Sequence, residues 1–381
     1  MVQSHGHVMR LNAVRHGPIP RLCQLAPYGM FSRDVLTSAS RKTNIAAIGL
    51  ALIAPTTAAS ASISPEHPVI AGINLAGGEF NSARKPGIYA KDYIYPDRKV
   101  AAPFLAAGMQ IVRVPILWER IQPAPFAPLA DREMARLDRT IGELKDFRII
   151  ILDIHNYGRY RAAPLDRTPR GDAMLADVWA KLAQRYRGQP RIAFGLMNEP
   201  HAIAARRWRK MVDRSVSAIR RSGARNLILV PGTNWTGAAS WTSGGAGSNA
   251  AAFAGFRDPG HNFLFEMHQY FDAGGTGTDP DCVDGRTAEK RVAPATAWLR
   301  KTGNRALLGE FGVGPNDQCL RMLARVLDHI RASPDAWMGW AYWAGGAWWG
   351  KYPKSVQPSG GQPKPQMTVL QRYIPSRSSG H

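Results

Sequence analysis

The segment Ile192-Ala193-Phe194-Gly195-Leu196-Met197-Asn198-Glu199-Pro200 is an unbroken run of apolar and small residues that ends abruptly in polar ones. A short run without polar alternation is the pattern of a strand buried on both faces, and such strands belong to parallel sheets covered by helices. The period of the following stretch, 204–221, supplies a covering helix. Working outward from this unit, the same alternation recurs on both sides. Strands are expected at 69–75, 110–115, 148–154, 192–197, 226–230, 263–268, 306–309 and 338–343, and helices at 131–146, 172–186, 204–221, 288–301 and 317–332. The Gly-, Ser- and Ala-rich segment 232–255 reads as a long loop with at most a short helix. A closing helix is expected at 367–373. Eight strand–helix units imply an α/β chain folded as a single (β/α)₈ TIM barrel, with chemistry at the C-terminal ends of the strands.

The first 61 residues do not fit this pattern. Arg41 and Lys42 precede an apolar stretch at 45–54, followed by small residues up to Ala61, the layout of a secretory signal peptide. The ten apolar residues fall short of the roughly 20 that a membrane-spanning helix needs. The expected organisation is a leader at 1–61, with Met1 or Met30 as the start, and a barrel domain at 62–381. Export to the periplasm or the medium follows, without stable membrane insertion of the mature chain. In an oxidising compartment the two cysteines beyond the leader, Cys282 and Cys319, are expected to form a disulfide.

Composition excludes several classes. A hydrophobic content of 45% rules out a disordered chain. The formal charge is +21, of which +16 remains once the six basic residues and Asp34 of the leader are set aside. The arginines are dispersed over helical stretches, and no zinc finger, RNP motif or basic zipper occurs, so nucleic acid is not an expected partner. No Cys-x-x-Cys or His-Glu-x-x-His spacing marks a metal site, and no cofactor is expected.

Polar residues gather where the strands end. Arg113 lies near the end of the second, Asp153 to Tyr157 at the third, Asn198-Glu199-Pro200 at the fourth and Asn234-Trp235 just past the fifth. His268-Gln269-Tyr270 closes the sixth, Gly309-Glu310-Phe311-Gly312 the seventh and Tyr342-Trp343 the eighth. In a barrel these points converge on one cleft. The 111 residues from Glu199 to Glu310 span three units at 37 each, which suits that geometry.

With Gly72-Ile73-Asn74-Leu75-Ala76-Gly77 and Val112-Arg113-Val114-Pro115, these segments resemble glycoside hydrolase family 5, in its endo-1,4-glucanase branch, over nearly all of 68–373. The resemblance implies an exported, retaining, endo-acting β-1,4-glucanase that works as a monomer on polysaccharide. Breaking a glycosidic bond requires a proton donor and a nucleophile, held about 5 Å apart in a retaining enzyme. By resemblance Glu199 is the acid/base and Glu310 the nucleophile. Arg113 is the cation that keeps Glu310 ionised, and Tyr270 donates to it. Asn198 is implied to bind the sugar 2-hydroxyl, while His155 and His268 orient hydroxyls or carboxylates. Trp343 is the platform under the sugar beside the cleaved bond, and Trp235, Trp241, Trp348 and Trp349 extend it. Asp153 is read as support for the barrel wall.

Two alternatives stay open on the residues alone. The same machinery serves mannan, xyloglucan or an acidic exopolysaccharide, and a catalytically silent polysaccharide-binding protein would carry the same scaffold. The segment 272–282 resembles the glucanase branch and favours β-1,4-glucan.

Overall fold

The computed structural model describes residues 69–375. The leader expected at 1–61 lies outside them. Eight strands pair in parallel and close into a barrel in chain order: β1 (Ile70–Leu75), β2 (Ile111–Ile116), β3 (Ile149–Ile154), β4 (Ile192–Gly195), β5 (Ile228–Pro231), β6 (Phe263–His268), β7 (Ala306–Phe311) and β8 (Trp337–Gly345), which returns to β1. All eight fall where the apolar runs placed them, with differences confined to their ends.

The helices are α1 (Arg98–Ala106), α2 (Trp118–Ile121), α3 (Asp131–Glu143), α4 (Gly171–Tyr186), α5 (Ala205–Arg221), α6 (Asn249–Phe253), α7 (Gly285–Thr302), α8 (Asp317–Arg331) and α9 (Pro365–Leu370). Helix α5 shows why the helical period is legible. Trp208, Met211, Val212, Ser215, Val216 and Ile219 recur three or four residues apart and are all buried. Helix α1 was not expected, because it is only nine residues long and carries Pro103, which has no N–H to give the helix. Its start is fixed by Asp97, whose side chain accepts from the Val100 N–H at 2.9 Å. The five-residue α6 is the short helix allowed within 232–255.

Two apolar layers hold the barrel. The larger lies between sheet and helices and includes Trp118, Trp179, Trp208 and Trp337. The smaller fills the barrel interior with one side chain from each of seven strands: Ile70, Ile111, Ile151, Ala193, Leu229, Leu264 and Leu307. This floor closes the bottom of the site, and each of its larger side chains contributes about 1.5–3 kcal/mol through burial. A disulfide joins Cys282 to Cys319, with Cα atoms 5.2 Å apart, tying the loop after β6 to the first turn of α8. Among the described residues no helix is long and apolar enough to cross a membrane.

Candidate active site

Side chains on a strand alternate faces, so the residue two beyond each floor residue also points into the barrel. That step gives Gly72, Arg113, Asp153, Gly195, Pro231, Glu266 and Gly309. The apolar floor is therefore followed by a layer with one guanidinium and two carboxylates, and glycine on three other strands leaves them room. At Gly309 the reason is geometric, since a Cβ there would stand 2.6 Å from Glu266 Oε1.

Arg113 is fully buried and donates in several directions at once. Its Nε bonds Glu266 Oε1 at 2.8 Å, its Nη2 bonds Asn198 Oδ1 at 2.8 Å and lies 3.1 Å from Asp153 Oδ2, and its Nη1 bonds Asn74 Oδ1 at 3.0 Å. The Nη1 contact to Glu310 Oε2 is longer, at 3.4 Å. Burial disfavours the charged guanidinium, but Asp153, Glu266 and Glu310 outweigh it and keep Arg113 protonated. Arg113 thus reaches Glu310 through its longest contact, while its shorter bonds hold the buried layer together. Asp153 belongs to that layer and does not merely support the wall.

Glu199 stands just beyond β4 at a positive φ of 41°, a conformation uncommon for a residue with a side chain. Glu310 is the penultimate residue of β7. The two carboxyl groups meet with His268 at the mouth of the barrel, where one oxygen of each and a ring nitrogen lie within 4.8 Å of one another. Their surroundings differ. Glu310 Oε1 accepts from the Tyr270 hydroxyl at 2.8 Å, and its other oxygen faces Arg113. Glu199 Oε1 lies 3.0 Å from His268 Nδ1. The Glu199 side chain is 14% exposed and that of Glu310 6%.

Burial raises the Glu310 carboxyl above its ordinary range; His268 opposes this, the nearby Glu199 adds to it, and Arg113 opposes it. Two carboxyls this close hold one proton between them more readily than two charges. Burial would lower His268, but Glu310, Glu199 and Glu266 push it up to about 10, so the ring is an imidazolium at neutral pH. Its second nitrogen, Nε2, lies 3.4 Å from Glu266 Oε1. Glu199, His268 and Glu310 have the composition of a metal-ligand set, and each His268 nitrogen already faces a carboxylate, Nδ1 toward Glu199 Oε1 and Nε2 toward Glu266 Oε1.

The remaining groups ring this centre. The Asn198 Oδ1 is held by Arg113, which leaves its buried Nδ2 without a hydrogen-bond partner. His155 Nδ1 bonds Asp153 Oδ2 at 2.7 Å, and its ring stacks on Trp343 at 5.6 Å with 17° between the planes. Trp349 supports Trp343 edge-on at 5.7 Å and stacks on Tyr352. Trp235 is 55% exposed and stacks on His201 at 4.9 Å, while Trp348 is 38% exposed. Trp241 does not extend the platform: it is fully buried among Phe253, Phe265 and Trp298, so no sugar reaches its face.

A cleft of about 530 Å³ opens beside this centre, lined by Glu199, Trp235, His268, Tyr270, Thr276 and Arg291 among others. The loop after β6 is folded by Asp272, whose carboxylate accepts from the Thr276 and Gly277 N–H groups. Gly277 has φ 76°, and a Cβ there would press within 2.8 Å of the Tyr270 ring that serves Glu310. Sequence reasoning missed Glu266, Asn74 and His201. Glu266 was readable from the two-residue step above the floor and Asn74 from a second such step beyond Gly72, whereas His201 carried no such signal.

The comparisons with known proteins agree with this geometry. Residues 67–346 match the model of the cellulase family, glycosyl hydrolase family 5. A probable endo-beta-1,4-glucanase B of Neosartorya fischeri is 32% identical over 307 residues, covering 80% of this chain and 91% of that protein. The solved structure of XacCel5A in complex with cellopentaose is 40% identical with a TM-score of 0.78, covering 81% of this chain and 99% of that one. The endo-beta-1,4-glucanase Xac0029 of Xanthomonas axonopodis pv. citri is 41% identical with a TM-score of 0.77, over 80% and 98% of the two chains. With an eight-stranded barrel, a paired-glutamate cleft and a match across most of its length, the chain belongs to glycosyl hydrolase family 5.

Proposed function

We propose that the protein is an exported endo-β-1,4-glucanase that retains anomeric configuration, with Glu199 as acid/base and Glu310 as nucleophile. The observation that carries this reading is the approach of the two carboxyl groups to within 4.8 Å, near the roughly 5–5.5 Å of retaining enzymes and short of the roughly 6.5–9.5 Å that leaves room for an inverting water. Glu310 accepts from Tyr270 through Oε1 and faces Arg113 through Oε2, donors that stabilise a carboxylate in the nucleophile's place.

Glu199 then protonates the departing glycosidic oxygen while a Glu310 oxygen attacks the anomeric carbon, giving a glycosyl-enzyme. Glu199, now ionised, takes a proton from water, whose oxygen attacks the same carbon and releases Glu310. The Asn198 Nδ2 donates to the 2-hydroxyl, and the Trp343 face carries the ring. Export is supported by the disulfide and the signal-like leader.

The test is hydrolysis of soluble β-1,4-glucan with NMR of the first-formed anomer. The β-anomer is expected first, and Glu199→Gln and Glu310→Gln should each remove most activity while the fold persists. Full activity in either variant, or the α-anomer first, refutes the assignment.

A further inference from the structure

The positive charge of this chain is not spread evenly over the barrel. The stretch 159–170, which follows β3, carries Arg159, Arg161, Arg167 and Arg170 against the single acid Asp166. Its neighbour, the start of α5, adds Arg206, Arg207 and Lys210. The two form one surface: Arg207 donates to the Asp166 carbonyl, and Gly158 packs against Ile203 and Pro200. All seven cations are exposed except Arg159, which is half-buried. Among the described residues none of their charged side-chain groups lies within 4 Å of a carboxylate, whereas Arg209 and Arg214 nearby are paired with Asp213 and Asp172.

These side chains are oriented without being neutralised. Arg161 donates to the Pro123 carbonyl at 2.6 Å, Arg159 to the Ala162 carbonyl at 3.1 Å, and the Arg170 guanidinium lies over the Phe126 ring at 4.4 Å. Such contacts fix a guanidinium while leaving its charge for something outside the chain. The surface also adjoins the cleft. Tyr157, two residues before Arg159, bonds the Asn198 carbonyl through its N–H at 3.0 Å and reaches His155 with its hydroxyl.

Resting on the reading of the cleft as a β-1,4-glucan site, we propose that this rim is a binding surface for anionic polysaccharide, so that the preferred substrate is a β-1,4-glucan bearing carboxylate substituents. A polymer whose backbone threads the cleft brings its charged groups over the rim, where seven cations raise its local concentration. A nucleic acid fits less well, because Tyr160 is buried and the Phe126 ring lies under Arg170, which leaves Tyr157, 38% exposed, at the rim where stacked bases would need a row of open faces. A lipid surface fits less well because α5 turns only charged and small polar residues outward, with no apolar stripe to insert.

The test compares the rim variant Arg167→Gln/Arg170→Gln/Arg206→Gln/Lys210→Gln with a control that removes four exposed charges elsewhere, Arg286→Gln/Lys290→Gln/Arg321→Gln/Arg372→Gln. At low salt, the rim variant should raise KM for carboxymethylcellulose on the order of tenfold, from four surface contacts of a few tenths of a kcal/mol each. Its kcat, and its rates on neutral hydroxyethylcellulose and cellopentaose, should match the wild type. The control should change KM by no more than about twofold, and added salt should abolish the difference between the variants. Equal KM values for the two variants overturn the proposal. So does a rim variant that loses binding to DNA or phosphatidylglycerol vesicles but keeps the wild-type KM on carboxymethylcellulose. If the wild type cleaves no neutral glucan, the glucanase reading fails by itself. Affinity electrophoresis through gels containing carboxymethylcellulose then decides the rim by the same comparison.

Discussion

Replacing Glu266 by Gln removes one charge from beneath the paired carboxyls and leaves the shape of the layer unchanged. The new amide oxygen still accepts from Arg113 Nε, now 2.8 Å from Glu266 Oε1, so the guanidinium stays anchored. What is lost is a carboxylate 3.4 Å from His268 Nε2. A charge-assisted hydrogen bond is worth about 1.5–3 kcal/mol, and a contact as long as 3.4 Å belongs at the lower end. At about 1.4 kcal/mol per pKa unit, His268 should fall by about one unit. The other groups facing the ring remain, namely Glu199, Glu310 and, opposing them, Arg113, so the ring should still be cationic at neutral pH.

Imidazole NMR through the alkaline range reads the shift directly. Stability should follow. A folded-state pKa of about 10 against the ordinary 6.5 means that His268 stabilises fully below 6.5 and loses its contribution as pH rises through about 10. In Glu266→Gln that loss should still begin near 6.5 but be complete about one pH unit earlier than in the wild type. An unmoved or raised His268 midpoint refutes the role given to Glu266.

Three further outcomes are expected. Tyr270→Phe removes a donor from Glu310, so kcat should fall about ten- to a hundredfold and the acidic limb of the rate profile should move to higher pH, because the carboxylate is then less supported; an unmoved limb contradicts this. Trp241→Ala should destabilise the fold by about 3–5 kcal/mol without altering KM, while Trp235→Ala should leave stability within about 0.5 kcal/mol and raise KM for long glucans, as thermal unfolding and kinetics will show. Removing the Cys282–Cys319 bridge by double Ala substitution opens a 37-residue loop and should cost about 3–4 kcal/mol on the chain-entropy model; an unchanged melting temperature contradicts it.

The barrel was legible because each strand is a short apolar run that ends in polar residues, and because helices such as α5 keep a strict period. Helix α1 was not legible, since Pro103 hides it, and it is held by Asp97 and by packing that no local pattern announces. In the site, the strand-end groups stood out one by one: Glu199, Glu310, Tyr270 and Trp343 each follow an apolar run. Beneath them, Arg113 and Asp153 were visible near strand ends, though not as one buried layer, and Glu266 was not: it sits within an apolar stretch, and its importance appears only when Leu264 two residues earlier is known to face the interior. Trp241 failed for the opposite reason. A tryptophan in a Gly- and Ser-rich loop looks exposed, but three-dimensional packing folds that loop over Phe253 and Phe265.

The central claim concerns which carboxylate becomes bonded to sugar. Incubation with an activated 2-deoxy-2-fluoro cellobioside, followed by peptide mass spectrometry, should find one cellobiosyl unit on the peptide containing Glu310. A label on Glu199, or turnover with no trapped adduct and the α-anomer as first product, would contradict the account.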